Sequence, residues 1–153
     1  MPNWDLTPGQ SVERECGRRG TAQVVAGCVT LLAGGDTDDS LARALGGPAT
    51  DSVLGPHPRR DQRSFLPPRP PVRVWAARAL LYAWDDGAES LRDAVLAALS
   101  DESWRVREMA AKVVARREIG EGLTAVAGLQ QDPVPRVRAA AARATAILTA
   151  ARA

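Results

Sequence analysis

At 153 residues, with 45% apolar and 25% charged residues, the chain has the usage of an ordinary globular domain and the length to bury a core. Its 20 basic and 18 acidic residues leave a net charge of +2, so no global charge drives it towards nucleic acid or a membrane. Aromatics at 4% leave a core of Ala, Leu and Val, side chains that suit closely packed helices, and the expected fold is all-α.

The Arg bias, with Lys112 the single Lys, fits a GC-rich, bacterial coding sequence; selection for bidentate guanidinium contacts is the sharper alternative. Cys16 and Cys28 match neither a zinc spacing nor a disulfide framework, and read as reduced thiols in or near a packed helix. Residues 1–10 lack the basic and apolar regions of a secretory signal, and no apolar run reaches the length of a membrane span. A cytoplasmic protein is expected.

In chain order, residues 1–20 read as an N-terminal arm. Residues 1–10 (MPNWDLTPGQ) are loose, with Trp4 as a possible anchor, and 11–19 form a helix weakened by Gly17 and Gly20. Residues 21–55 read as degenerate helices. Over 21–33, Ala22, Val25, Cys28, Val29 and Leu32 share one helical face. A short helix over 40–45 is capped by the acidic run Asp36–Asp39 and closed by Gly46 and Gly47. Residues 48–54 read as another, with Pro in its first turn. Residues 56–71 (PHPRRDQRSFLPPRPP) hold six Pro and four Arg, an extended insert that can continue neither a helix nor a sheet.

From Val72 the pattern becomes regular. Val72, Val106 and Val137 are each followed by Arg (Arg73, Arg107, Arg138), then by Ala four places on (Ala76, Ala110, Ala141) and a basic residue six places on (Arg78, Lys112, Arg143). The offsets of 34 and 31 residues are those of an α-helical repeat. Helices are expected over 72–84 and over 88–99, the latter with Leu91, Val95, Ala98 and Leu99 inward. A third, capped by 101–103, carries the stripe Val106, Met109, Ala110, Val113 and Val114. A fourth covers 118–130, with Leu123, Val126 and Leu129 inward, and a last runs from Pro135 close to Ala151.

The motif Asp-x-x-x-x-Val-Arg-x-x-Ala-Ala occurs twice, from Asp101 to Ala111 and from Asp132 to Ala142, each after a Leu-bearing helix. It resembles the HEAT repeat in the short form of phycobilisome-lyase-type proteins. That resemblance implies an α-solenoid, a right-handed α-α superhelix of about four helix pairs with the first two degenerate, making one domain over 1–153. The clear repeats are 88–116 and 118–151. Residues 48–84 resemble a repeat whose turn was expanded into the insert, with Pro67 in place of the Asp, and 21–46 a degenerate first repeat. The resemblance also implies a structural ladder of charge-assisted bonds, with Asp101 and Asp132 in inter-helix turns and Arg107 and Arg138 on the second helices.

Groups able to converge on catalysis are scarce. His57, the one His, lies among prolines. The paired His-Glu motifs of metal-binding HEAT-like hydroxylases and Gly-rich phosphate loops are absent, and Cys16 and Cys28 have no His partner. Asp85 and Asp86, like the run Asp36–Asp39, are explained by capping. The expectation is a non-enzymatic chain with no cofactor or metal.

Two surface features remain. Arg78, Lys112 and Arg143 lie about 140° around their helices from the ladder arginines; they form either a basic stripe along a concave groove, joined by Arg59, Arg60, Arg63 and Arg69, or a solvated face paired with acids such as Glu108. Trp75 reads as core. Trp84 and Trp104, at helix ends, are either interface anchors or packed under turns. The function expected is a protein-binding scaffold using Arg78, Lys112, Arg143, Trp84 and Trp104. The alternative is backbone binding of nucleic acid through the same stripe, and the third reading, by resemblance, is a lyase or chaperone-like accessory to a cofactor-bearing protein.

Overall fold

A computed structural model describes residues 6–34, 39–47 and 70–152, and every regular element among them is helical. The expected helix over 48–54, nearly all of the Pro-rich insert, Trp4 and His57 lie outside the described residues. The chain groups into two compact units, Met1–Ala88 and Glu89–Ala153.

The first unit holds α1 (Pro8–Arg19), α2 (Thr21–Leu32), α3 (Asp39–Gly46) and α4 (Pro70–Ala79). The arm is not loose up to Gln10, because α1 begins at Pro8. Thr7 and Gln10 form a reciprocal capping box: the Gln10 amide donates to Thr7 Oγ1 at 3.2 Å and the Thr7 amide to Gln10 Oε1 at 2.9 Å. Pro8 follows the cap, where its missing N–H costs no helical bond. Gly20, at φ 88°, turns the chain from α1 into α2 in a conformation that a side chain would oppose. Glu15 is buried on α1 and takes Arg18 at 2.9 Å and Arg19 at 2.6 Å, while Arg19 also reaches Ser40 Oγ on α3 at 2.7 Å.

The buried residues of α2 are Val24, Val25, Cys28, Leu31 and Leu32, whereas Ala22 is exposed and Val29 half-buried. The inward face keeps Val25, Cys28 and Leu32 of the expected stripe and widens to Val24 and Leu31, with α1 and α4 both packed on α2. Helix α4 stops at Ala79, five residues before the expected end at Trp84. Leu80, Leu81 and Tyr82 donate instead to the carbonyls three residues back, at 3.0–3.1 Å, a tightening that ends the α geometry. Val72, Trp75, Ala76, Ala79, Leu80 and Ala83 are nevertheless all buried, so the apolar pattern outlasts the helix.

The second unit holds α5 (Leu91–Ala98), α6 (Trp104–Arg116), α7 (Leu123–Gly128) and α8 (Pro135–Ala151), with 3-10 turns at Gly120–Gly122 and Leu129–Gln131. The start of α5 is later than expected because Ser90 adopts a left-handed φ of 62°. Leu91, Val95, Ala98 and Leu99 are all buried, as the spacing predicts. On α6, Val106, Ala110, Val113 and Val114 are buried together with Ala111, and Met109 is half-buried. The single helix expected over 118–130 is broken into a 3-10 turn, a short α-helix and a second 3-10 turn. Glu118 sits at φ 50°, and only Val126 of the three expected inward residues is fully buried. Pro135 opens α8 as expected, and α6 and α8 share the most extensive helix contact of the unit.

Candidate interaction surface

The Asp-to-Arg motif builds the same local device twice. In each turn, Asp accepts from the backbone amide two residues on: Ser103 N to Asp101 Oδ1 at 2.8 Å, and Val134 N to Asp132 Oδ1 at 2.9 Å. The Arg six residues later folds back to clamp the same Asp through its carbonyl, Arg107 Nη1 to Asp101 O at 2.8 Å and Arg138 Nη1 to Asp132 O at 2.7 Å. The other edge of Arg107 crosses to the next turn. Its Nε donates to Asp132 Oδ2 at 2.8 Å and its Nη2 to Asp132 Oδ1 at 3.3 Å, a two-point bond joining α6 to the turn before α8. The hydrogen bond from Arg107 is the main cause holding the Asp132 carboxyl below its usual range; burial opposes it, and the Val134 amide, with the charges of Arg107 and Arg138, adds to the lowering.

A second cluster gathers around Trp104, the first residue of α6. Trp104 is half-buried, and two guanidinium carbons lie over its ring, Arg105 at 5.0 Å and Arg136 at 5.6 Å from the centroid. Glu108, buried one turn along α6, holds Arg136 in that place through bonds at 3.1 and 3.2 Å, and takes Lys112 Nζ at 3.1 Å. Two cations therefore meet one carboxylate, and one of them shares the indole face with Arg105. The sequence points to Trp104 with Arg105 beside it, to Lys112 and to Glu108 as a local partner, but not to Arg136. Both arginines stand immediately before the repeated Val-Arg pair, so a signal was present in the motif.

The other candidates fall elsewhere. Arg143 is exposed on α8. Arg78, in the first unit, is half-buried and donates through Nη2 to the Leu45 carbonyl at 3.2 Å, and burial lowers its affinity for the proton. It therefore helps to fasten α4 to the end of α3. Trp84 is half-buried, with its indole N–H on Asp86 Oδ1 at 2.8 Å, and the Gly87 amide on Asp85 Oδ1 at 3.0 Å closes the same turn. Among the described residues no group of three His, Cys, Asp or Glu side chains could hold a metal ion, and no helix is long and apolar enough to cross a membrane.

A family model for HEAT repeats matches residues 67–146, more than half of the chain, and spans both Asp-to-Arg motifs. No curated protein and no solved structure matches the sequence.

Proposed function

The chain belongs to the HEAT-repeat family, and from that premise we propose that it is a non-catalytic binding module. It grips a protein partner through the Trp104 cluster on α6 and α8. The observation that carries this reading is the indole held beneath two guanidinium groups, one of them fixed by the buried Glu108. A rigid aromatic surface flanked by arginines is the composition of an interface hot spot. Lys112, paired with Glu108, extends the basic character, so the partner surface is acidic with an apolar element to cover the indole. Nucleic-acid backbone binding is the competing reading. The commitment of Lys112 and Arg136 to Glu108 speaks against it, because both cations are already partly neutralised.

The two readings separate in one experiment. The tagged chain and its Trp104→Ala and Arg105→Glu variants are used to capture partners from lysate of the source organism, with and without nuclease. Captured proteins are then titrated individually. The expected result is a nuclease-resistant protein whose affinity falls roughly tenfold or more in the Trp104→Ala variant, about 1.4 kcal/mol or above. Capture that disappears with nuclease, or is indifferent to both substitutions, overturns the reading.

A further inference from the structure

A row of side chains runs along α8 away from the Trp104 cluster. Arg136, Arg143 and Ile147 stand seven and then four residues apart, so they lie within about 40° of one another around the helix. Arg136 meets the Trp104 ring, so the indole marks one end of the row. Ile147 marks the other, about 16 Å farther on at a rise of 1.5 Å per residue. Only Ala139 and the buried Ala140 stand between the two arginines on this side, and Ala146 lies beside Ile147. Arg143 is exposed and makes no ion pair or hydrogen bond among the described residues. Arg136 keeps 68% of its side chain exposed, and its Nη1 bonds to none of the described residues. An isolated exposed Ile needs no explanation. One aligned with an indole and two outward arginines completes a surface with apolar ends and a basic middle. The row is turned about 160° from the ladder arginine Arg138, so it is not the flank on which one repeat stacks on the next.

We propose that this row, from Trp104 to Ile147, seats an amphipathic helix of the partner protein, with two apolar anchors about eleven residues apart and acidic residues between them. The proposal rests on the Trp104 cluster being a contact for that partner. Eleven helical residues rise about 16 Å and complete about three turns, which returns both anchors to one face. An extended strand covers the same distance in about five residues, and an odd number puts its anchors on opposite faces. The small side chains of Ala139 and Ala146 let the helix approach α8 closely enough for both anchors to seat. Carboxylates in its middle turns fall opposite Arg143 and the outer edge of Arg136. A nucleic-acid strand would satisfy the arginines but leave Ile147 in water.

The test pans a displayed library of randomised helical peptides, each about 20 residues long, against the full chain. The expected result is an enriched pattern with large apolar residues about eleven apart and Asp or Glu between them. Synthetic peptides of that pattern should bind the chain, and Arg143→Glu and Ile147→Ser should each weaken them roughly fivefold or more. Both side chains are exposed, so neither change should move the thermal melt, and the loss is then read from the surface alone. Peptides that need Trp104 but ignore Arg143 and Ile147 overturn this proposal and leave the Trp104 reading standing. Peptides indifferent to all three residues count against both. A selection that enriches no acidic amphipathic helix overturns the proposal as well. So does labelled single-stranded RNA that binds more tightly than the peptides and is released by Arg143→Glu, since the occupant would then be a nucleic acid.

Discussion

Asp132 shows how much one side chain carries in this fold. Its carboxylate caps a turn through the Val134 amide and binds Arg107 at two points, while its carbonyl anchors Arg138. Because its folded pKa is depressed, it contributes stability in full above the unfolded aspartate value of about 3.9. That contribution is lost as pH falls below this value and through the lower folded pKa. Asp132→Asn should therefore cost roughly 1.5–3 kcal/mol at neutral pH, from a charged hydrogen bond lost. The gap between wild type and variant should close as pH falls from about 5 to about 2 in denaturant melts; a gap that stays constant with pH would contradict the assignment. Cys28 makes the opposite case. Burial first, and the neighbouring Cys16 second, push its thiol up to about 12, leaving on the order of one part in ten thousand as thiolate at pH 8. Iodoacetamide at that pH should spare Cys28 in the native chain and modify it only in denaturant, as read by peptide mass.

At the scale of elements, the packing of α6 on α8 rests on small side chains. Ala110 and Ala141 are both fully buried, which is what allows two helices to share so long a contact. Ala110→Leu should overpack that region and cost about 1–3 kcal/mol in a thermal or urea melt. An unchanged midpoint would mean that the helices have slack which the burial does not suggest. At the other end of the chain, Thr7→Ala should cost about 1 kcal/mol by removing half of the α1 capping box. The helix stripes of the second unit were legible because Leu, Val and Ala recur there at regular spacing. Helix ends were less so. The box formed by Thr7 and Gln10 was present in the sequence and outweighs the nearby prolines and glycine. The early ends at Ala79 and Gly128 come instead from backbone bonds tightened to three residues, for which no residue type is diagnostic.

Across the whole molecule, membership of the HEAT-repeat family accounts for the composition: few aromatics, abundant Ala and Leu, and an Asp and an Arg recurring at fixed separation. The recurrence of Arg78, Lys112 and Arg143 in the alignment of repeats does not give them one role. Arg78 is turned to a backbone carbonyl, Lys112 to Glu108, and Arg143 to solvent. Fluorescence anisotropy with labelled single- and double-stranded DNA and RNA at about 50 and 200 mM salt should accordingly show no micromolar binding, whereas a phosphate-binding stripe would bind at the lower salt and release at the higher.

By itself the sequence determined the all-α class, the repeat period and the residues of each Asp-to-Arg motif, because these depend on spacing along one chain and on propensities local to each helix. Only the tertiary structure decided which edge of each guanidinium is used, which arginines meet Trp104, and that Glu108 is buried beneath two cations. Those are distances between residues 25 to 32 positions apart, fixed by how α6 and α8 pack. A repeat copies its residue types from one helix pair to the next, but the neighbours of each copy differ, and the neighbours set the chemistry.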